Sequence, residues 1–161
     1  MFSPYNSEKH ENLRQRTKEF GLRVIRMWKS LPHNTLAEVL GKQLLRCATS
    51  VAANYRAACL AKSDPDFFHK IKICQEEADE SCLWIEYIIE AGILPESKLS
   101  NLLDEAQQLT AIMTSSAITV KKRIESEKKS QAKINAPHSL FTIHYSLFTI
   151  HYERSKICAA R

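Results

Sequence analysis

The chain has 161 residues, enough for one domain with a substantial core and too few for two comfortable ones. Hydrophobic residues make up 44% and charged residues 25%, while only three glycines leave little turn chemistry for a sandwich or a Rossmann fold. Five cysteines (Cys47, Cys59, Cys74, Cys82 and Cys158) are odd in number and lack CxxC spacing. That excludes a disulfide framework or zinc site and points to a reducing cytoplasm. The opening residues hold no apolar run of a secretory signal, and no stretch approaches the roughly 18 apolar residues of a membrane span.

An apolar period near 3.6 predicts four helices in chain order. Helix one, about 8–31, aligns Leu13, Phe20, Val24, Met27 or Trp28, and Leu31. Helix two, about 35–61, aligns Leu36, Leu40, Leu44, Cys47, Val51, Tyr55 and Ala58. Helix three, about 65–91, aligns Phe67, Ile71, Cys74, Ala78, Cys82, Ile85 and Ile89, and helix four, about 96–129, runs from Leu99 to Ile124. Pro32, Pro65 and Pro95 each fall where a helix should begin, since a first turn tolerates the missing N–H. Asn34 is placed to cap helix two and Ser63 or Asp64 to cap helix three, and Gly92 marks the stop after helix three. Short connections make successive helices antiparallel, so the expected fold is all-α, an up-down-up-down four-helix bundle over residues 1–130.

Two segments stand out. From Ala48 helix two reads ATSVAANYRAACLA, small residues that suit close helix packing rather than a ligand crevice. Beyond residue 130, Ser139–Tyr145 (SLFTIHY) is repeated unchanged at Ser146–Tyr152. One duplicated heptapeptide does not make a solenoid, and its apolar residues leave the bundle's period. Residues 131–161 read as a disordered tail outside the functional domain, with a sticky, strand-prone segment as the alternative.

Signatures of chemistry are scarce. There is no GxxxxGK[ST], GxGxxG or HExxH. A di-iron bundle needs Glu-x-x-His on two helices, and only Asp66-x-x-His69 approaches it, so no metal, cofactor or catalytic site is expected. Charge is more informative than motif. The net charge is +5, yet residues 62–90 carry three Lys/Arg against eight Asp/Glu, while 1–61 carry ten against four and 121–161 nine against three. Arg14, Arg16, Lys18, Arg23, Arg26 and Lys29 on helix one form one candidate phosphate-binding cluster. Lys121, Lys122, Arg123, Lys128 and Lys129 near the end of helix four form the other. Interleaved Glu8, Glu11, Glu19, Glu125 and Glu127 give the plainer alternative of a solvated face. Arg46, Asn54, Tyr55 and Arg56 on helix two face the acidic run Glu76, Glu77, Asp79 and Glu80 in charge, which suits an Arg–carboxylate network between helices or across a subunit boundary.

Residues 43–94 resemble the bacterial four helix bundle proteins, also called 23S rRNA-intervening sequence proteins. The resemblance rests on Arg46, the stretch Ser50-Val51-Ala52-Ala53-Asn54, the start Asp66-Phe67-Phe68 and the Glu-rich run from Glu76 to Glu80. Where many members have Glu-Gly after that Asn, this chain has Tyr55-Arg56-Ala57-Ala58. The likeness covers roughly residues 12–125. It implies a homopentamer, and a link to reading frames inside ribosomal RNA genes. It also implies kinship with the accessory variability protein of diversity-generating retroelements, a basic pentamer that contacts nucleic acid and a reverse transcriptase. The expectation is therefore a non-enzymatic, cytoplasmic oligomer that binds RNA or DNA through basic helix faces. The alternative is a protein–protein scaffold.

Overall fold

A computed structural model describes the backbone of residues 8–158 and the side chains of residues 12–134. Four helices follow one another: α1 (Glu8–Trp28), α2 (Thr35–Ala58), α3 (Asp64–Glu90) and α4 (Glu96–Cys158). The chain divides into two units, Met1–Lys121 and Lys122–Arg161, with the division inside α4.

The connections follow from local chemistry. After α1 the chain turns through Ser30 N–H to Met27 O and Leu31 N–H to Trp28 O, which ends the helix three residues before the expected Leu31. Asn34 then caps α2, its side chain accepting from Ala37 N–H at 2.9 Å. Ser63 accepts from Asp66 N–H at 3.3 Å and is the cap of α3, with Pro65 in its first turn. Of the three prolines expected to open helices, only Pro65 lies inside one. Pro32 sits two residues ahead of the Asn34 cap, and Pro95 directly precedes α4, its carbonyl accepting from Lys98 N–H at 3.0 Å. At the end of α3, Gly92 takes φ 66°. Gly92 N–H bonds Ile89 O at 2.9 Å and Ile93 N–H bonds Ile88 O at 3.1 Å, the paired bonds of a Schellman stop that needs the left-handed conformation.

Contacts within the first unit set the topology. Arg16 meets Glu105 and Arg23 meets Asn101, so α1 and α4 run antiparallel. Arg46 meets Glu77 and Glu80 while Cys74 reaches Val51 O, so α2 and α3 do too. Gly21 against Ala48 and Gly41 against Trp28 and Leu31 give the same sense for α1 and α2. The up-down-up-down bundle is the observed fold. Its core joins all four helices through Phe20, Val24, Leu44, Val51, Ala78, Ile85, Leu99 and Leu109. The small residues of α2 serve packing inside the bundle: Ala48 and Ala58 are fully buried, and Tyr55 is 2% exposed.

Helix four was expected to stop near 129, and helical backbone runs on through Cys158. Residues 125–136 (ESEKKSQAKINA) are mostly Glu, Lys, Gln and Ala with no glycine or proline, so nothing local stops the helix before Pro137, which α4 also includes. Within the second unit, every described residue from Lys122 to Ile134 is exposed except Ile124. The segment expected to be a disordered tail, residues 131–161, has helical backbone through Cys158, and its side chains from 135 onward lie outside the described residues.

Candidate functional site

The two basic clusters fare differently. On α1, Arg16 is spent inside the bundle: Nε donates to Glu105 Oε1 at 2.7 Å, and Nη2 donates to Glu105 Oε2 at 3.1 Å and to Gln108 Oε1 at 2.6 Å. This bidentate fork holds the guanidinium proton more tightly than usual, the Glu105 hydrogen bond being the main cause. Arg23 donates to Asn101 O at 2.7 Å, Arg26 pairs with Glu19, and Arg14 is half-buried with an interaction of its own. Lys18 and Lys29 remain, exposed and without an ion pair among the described residues. The six expected residues therefore do not act as one open face. Residues 16 and 23 lie on the flank towards α4, roughly half a turn from the outward Lys18 and Lys29.

On α4 the second cluster stays open to solvent. Lys121, Lys122, Arg123, Lys128 and Lys129 are all exposed, and so is Lys133, which the sequence reading had not singled out. Arg123 has an interaction partner within the chain. From Lys122 to Ile134 the segment carries five basic residues against Glu125 and Glu127, and Ile134 is 65% exposed. A helix exposed round its circumference and rich in lysine presents point charges to any phosphate lattice that reaches it.

The structure also brings together the Arg–carboxylate group on α2 and α3. Arg46 Nη1 donates to both oxygens of Glu77 at 3.3 Å, and Nη2 donates to Glu80 Oε2 at 2.7 Å. Cys47 Sγ lies 3.2 Å from the same Glu80 oxygen. Glu76 is exposed and stands outside this group. Asn54 turns back on its own helix, Nδ2 donating to Ser50 O at 2.9 Å, while Arg56 is exposed without an ion pair among the described residues. Burial raises the Tyr55 hydroxyl's pKa well above its ordinary value, consistent with a packing role.

Cys47, Glu77 and Glu80 place possible ligand atoms within 4.8 Å of one another. Their chemistry does not suit a cation. Burial, then hydrogen bonding to Glu80, pushes the Cys47 thiol up to about 12, so it stays protonated, and a metal would need the thiolate. Both carboxylates already neutralise Arg46. Cys74 is likewise pushed up to about 12 by burial, and Cys59 and Cys82 are also buried thiols that form no disulfide among the described residues. Burial raises the pKa of Cys47, Cys74 and Cys82, the opposite of what activates a nucleophilic thiol.

Against known families, residues 9–115 match the one described as 23S rRNA-intervening sequence protein. The chain belongs to this family. A crystal structure from Bacteroides thetaiotaomicron, described as a protein with unknown function from the S23 ribosomal protein family, is 28% identical. It aligns over 65% of this chain and 96% of that one with a TM-score of 0.61. No curated protein matches. The family region takes in the Arg46–Glu77–Glu80 group and the Arg16–Glu105 fork, and it ends before Lys121. Among the described residues, no helix is long and apolar enough to cross a membrane.

Proposed function

We propose that this protein is a non-enzymatic, cytoplasmic, oligomeric nucleic-acid-binding protein whose principal contact is the basic, exposed stretch of α4 from Lys121 to Lys133. The observation that carries the reading is the openness of that stretch: Lys121, Lys122, Lys128, Lys129 and Lys133 are exposed, whereas the arginines of α1 are drawn into intrachain pairs. Lysines on a solvated helix favour backbone contact over base readout, so binding to RNA or DNA is expected to be weakly sequence-dependent and strongly salt-dependent. Four buried cysteines without a disulfide among the described residues suit a reducing compartment. The alternative, a protein–protein scaffold, draws support from exposed Leu83 and Tyr87 on α3.

The test is fluorescence anisotropy of a labelled RNA across a salt series, on the full chain and on a variant with Lys121, Lys122, Lys128 and Lys129 changed to Gln. The wild type is expected to lose affinity linearly in log–log form, and the variant's slope should be shallower by about 3 to 4. Salt-insensitive binding, or a variant that binds like the wild type, would remove the proposal.

A further inference from the structure

The turn between α1 and α2 carries a cavity of about 680 Å³. That volume lies within the range of sites that hold small molecules. Trp28, Leu31 and Pro32 give the cavity an apolar wall. The indole is half-buried and held from one side, because its Cε3–Cζ3 edge lies against Gly41, where α2 has no side chain to push it away. An aromatic ring fixed in this way and still partly open is a stacking platform for a second flat ring.

The rest of the lining is mostly made of hydrogen-bond donors. Lys29 and His33 are exposed, and neither side chain makes an ion pair among the described residues. Asn34 spends its side-chain oxygen on Ala37 N–H at 2.9 Å, which leaves its amide N–H groups to donate, and the Thr35 hydroxyl adds another donor. The one carboxylate in the lining, Glu38, is already paired with Lys42. A simple oxyanion would leave the indole wall bare, and a neutral aromatic would leave the donors without an acceptor. A flat ring that carries an anion uses both parts.

We propose that this cavity binds a nucleotide, the base stacked on Trp28 and the phosphate held by Lys29 and His33. The same chemistry is offered by a free mononucleotide and by the 5′-phosphorylated end of a single strand, whose bases are open to stacking. The site goes beyond the α4 reading and uses none of the α4 lysines. It distinguishes an unpaired base from a duplex, which phosphate contact alone does not.

The chain has two tryptophans, so Trp84→Phe leaves Trp28 as the one indole reporter. On that full-length variant at low salt, AMP should quench Trp28 fluorescence saturably, with a midpoint at or below about 1 mM. Adenosine as quencher and ribose 5-phosphate as competitor, each carrying part of the ligand, should need at least about tenfold more. Lys29→Gln with His33→Gln should raise the AMP midpoint at least about tenfold. Changing Lys121, Lys122, Lys128 and Lys129 to Gln should leave it in place, so this reading and the α4 reading fail separately. Far-UV circular dichroism checks that each variant stays helical. Should Trp84→Phe lose helicity, the AMP-dependent part of the wild-type signal should vanish in Trp28→Phe. A 5′-phosphorylated single strand that reproduces the quench, where the duplex of the same sequence does not, makes a strand end the occupant. An AMP quench that the strand fails to reproduce makes it a free nucleotide. A helical protein without saturable AMP quench, adenosine as effective as AMP, or a midpoint unmoved in the Lys29 and His33 variant or moved in the α4 variant overturns the proposal.

Discussion

Two glycines on facing helices should respond to the same substitution with opposite signs. A methyl group built on Gly41 falls within 2.5 Å of Trp28 Cε3 and Cζ3, and closer still to Leu31 Cδ1. Leu31 can swing aside, but the Trp28 ring packs against the core and has little room. Gly41→Ala gains about 1 kcal/mol of helix propensity. It loses about 1–3 kcal/mol to overpacking, and this contact lies at the costly end. The net expectation is destabilisation by about 1–2 kcal/mol. At Gly21 the same methyl meets only Ala48 O at 3.6 Å, an ordinary contact. Gly21→Ala should therefore keep its propensity gain and stabilise by about 0.5–1 kcal/mol. Urea unfolding followed by far-UV circular dichroism measures both, and each kcal/mol should move Tm by about 2–4 °C. A Gly41→Ala protein as stable as the wild type would refute the close approach of α1 and α2 at that point. A Gly21→Ala protein losing more than about 1 kcal/mol would refute the reasoning that only the contact at Gly41 is tight.

Three further outcomes are expected. Cys47 and Cys74 have folded pKa values raised by burial from 9.0 to about 12, so their contribution is fully present below pH 9 and is lost as pH rises towards 12. Each thiol should steepen alkaline unfolding by about 1.4 kcal/mol per pH unit in that window, which Cys47→Ala and Cys74→Ala should relieve in pH-dependent urea melts. Arg46→Ala leaves Glu77, with a side chain only 16% exposed, facing Glu80 without its cation. Because Arg46 itself is half exposed, the loss should be about 1 kcal/mol and should shrink in high salt, as chemical denaturation with and without added salt would reveal. Trp84 Nε1 is buried without an acceptor among the described residues, so Trp84→Phe removes an unpaired donor and should change stability by less than about 1 kcal/mol, read by thermal unfolding.

How much of this was legible depended on the range of the interaction. The Asn34 and Ser63 caps, the Gly92 stop and the buried faces are set by residues within a turn or two of one another, so the sequence displays them directly. Arg46 with Glu77 and Glu80 was also readable, because a short turn between antiparallel helices fixes which levels face each other. The fate of the α1 arginines was not. Arg16 and Glu105 are 89 residues apart, and their meeting depends on a register that the apolar period does not specify. Asn54 and Arg56 looked like parts of the α2–α3 network by composition alone. Their positions on the helix decide otherwise, one bonding its own backbone and the other facing solvent. Helix propensity accounts for α4 from 129 to 136, which the change in apolar pattern had masked, but not for its passage through Pro137 to Cys158.

The boundary of the family match sharpens what the two proposals mean. Residues 9–115 contain the cavity at the α1–α2 turn and the Arg46 group, and the Bacteroides structure aligns over 96% of its own length within 65% of this chain. The lysines from Lys121 to Lys133 lie beyond that match. Nucleotide binding at the α1–α2 turn would therefore draw on the part of the chain that defines the family, and nucleic-acid contact through α4 on a part that the family match does not reach. The two are then expected to respond separately. Neutralising Lys29 and His33 should remove the AMP quench while lowering the salt slope of RNA binding by no more than about 1. Neutralising the α4 lysines should lower the slope while leaving the AMP quench intact. If both perturbations changed both readouts fully, the basic segment and the cavity would have to be one site, and the division of charge between α1 and α4 drawn from their exposure would be wrong.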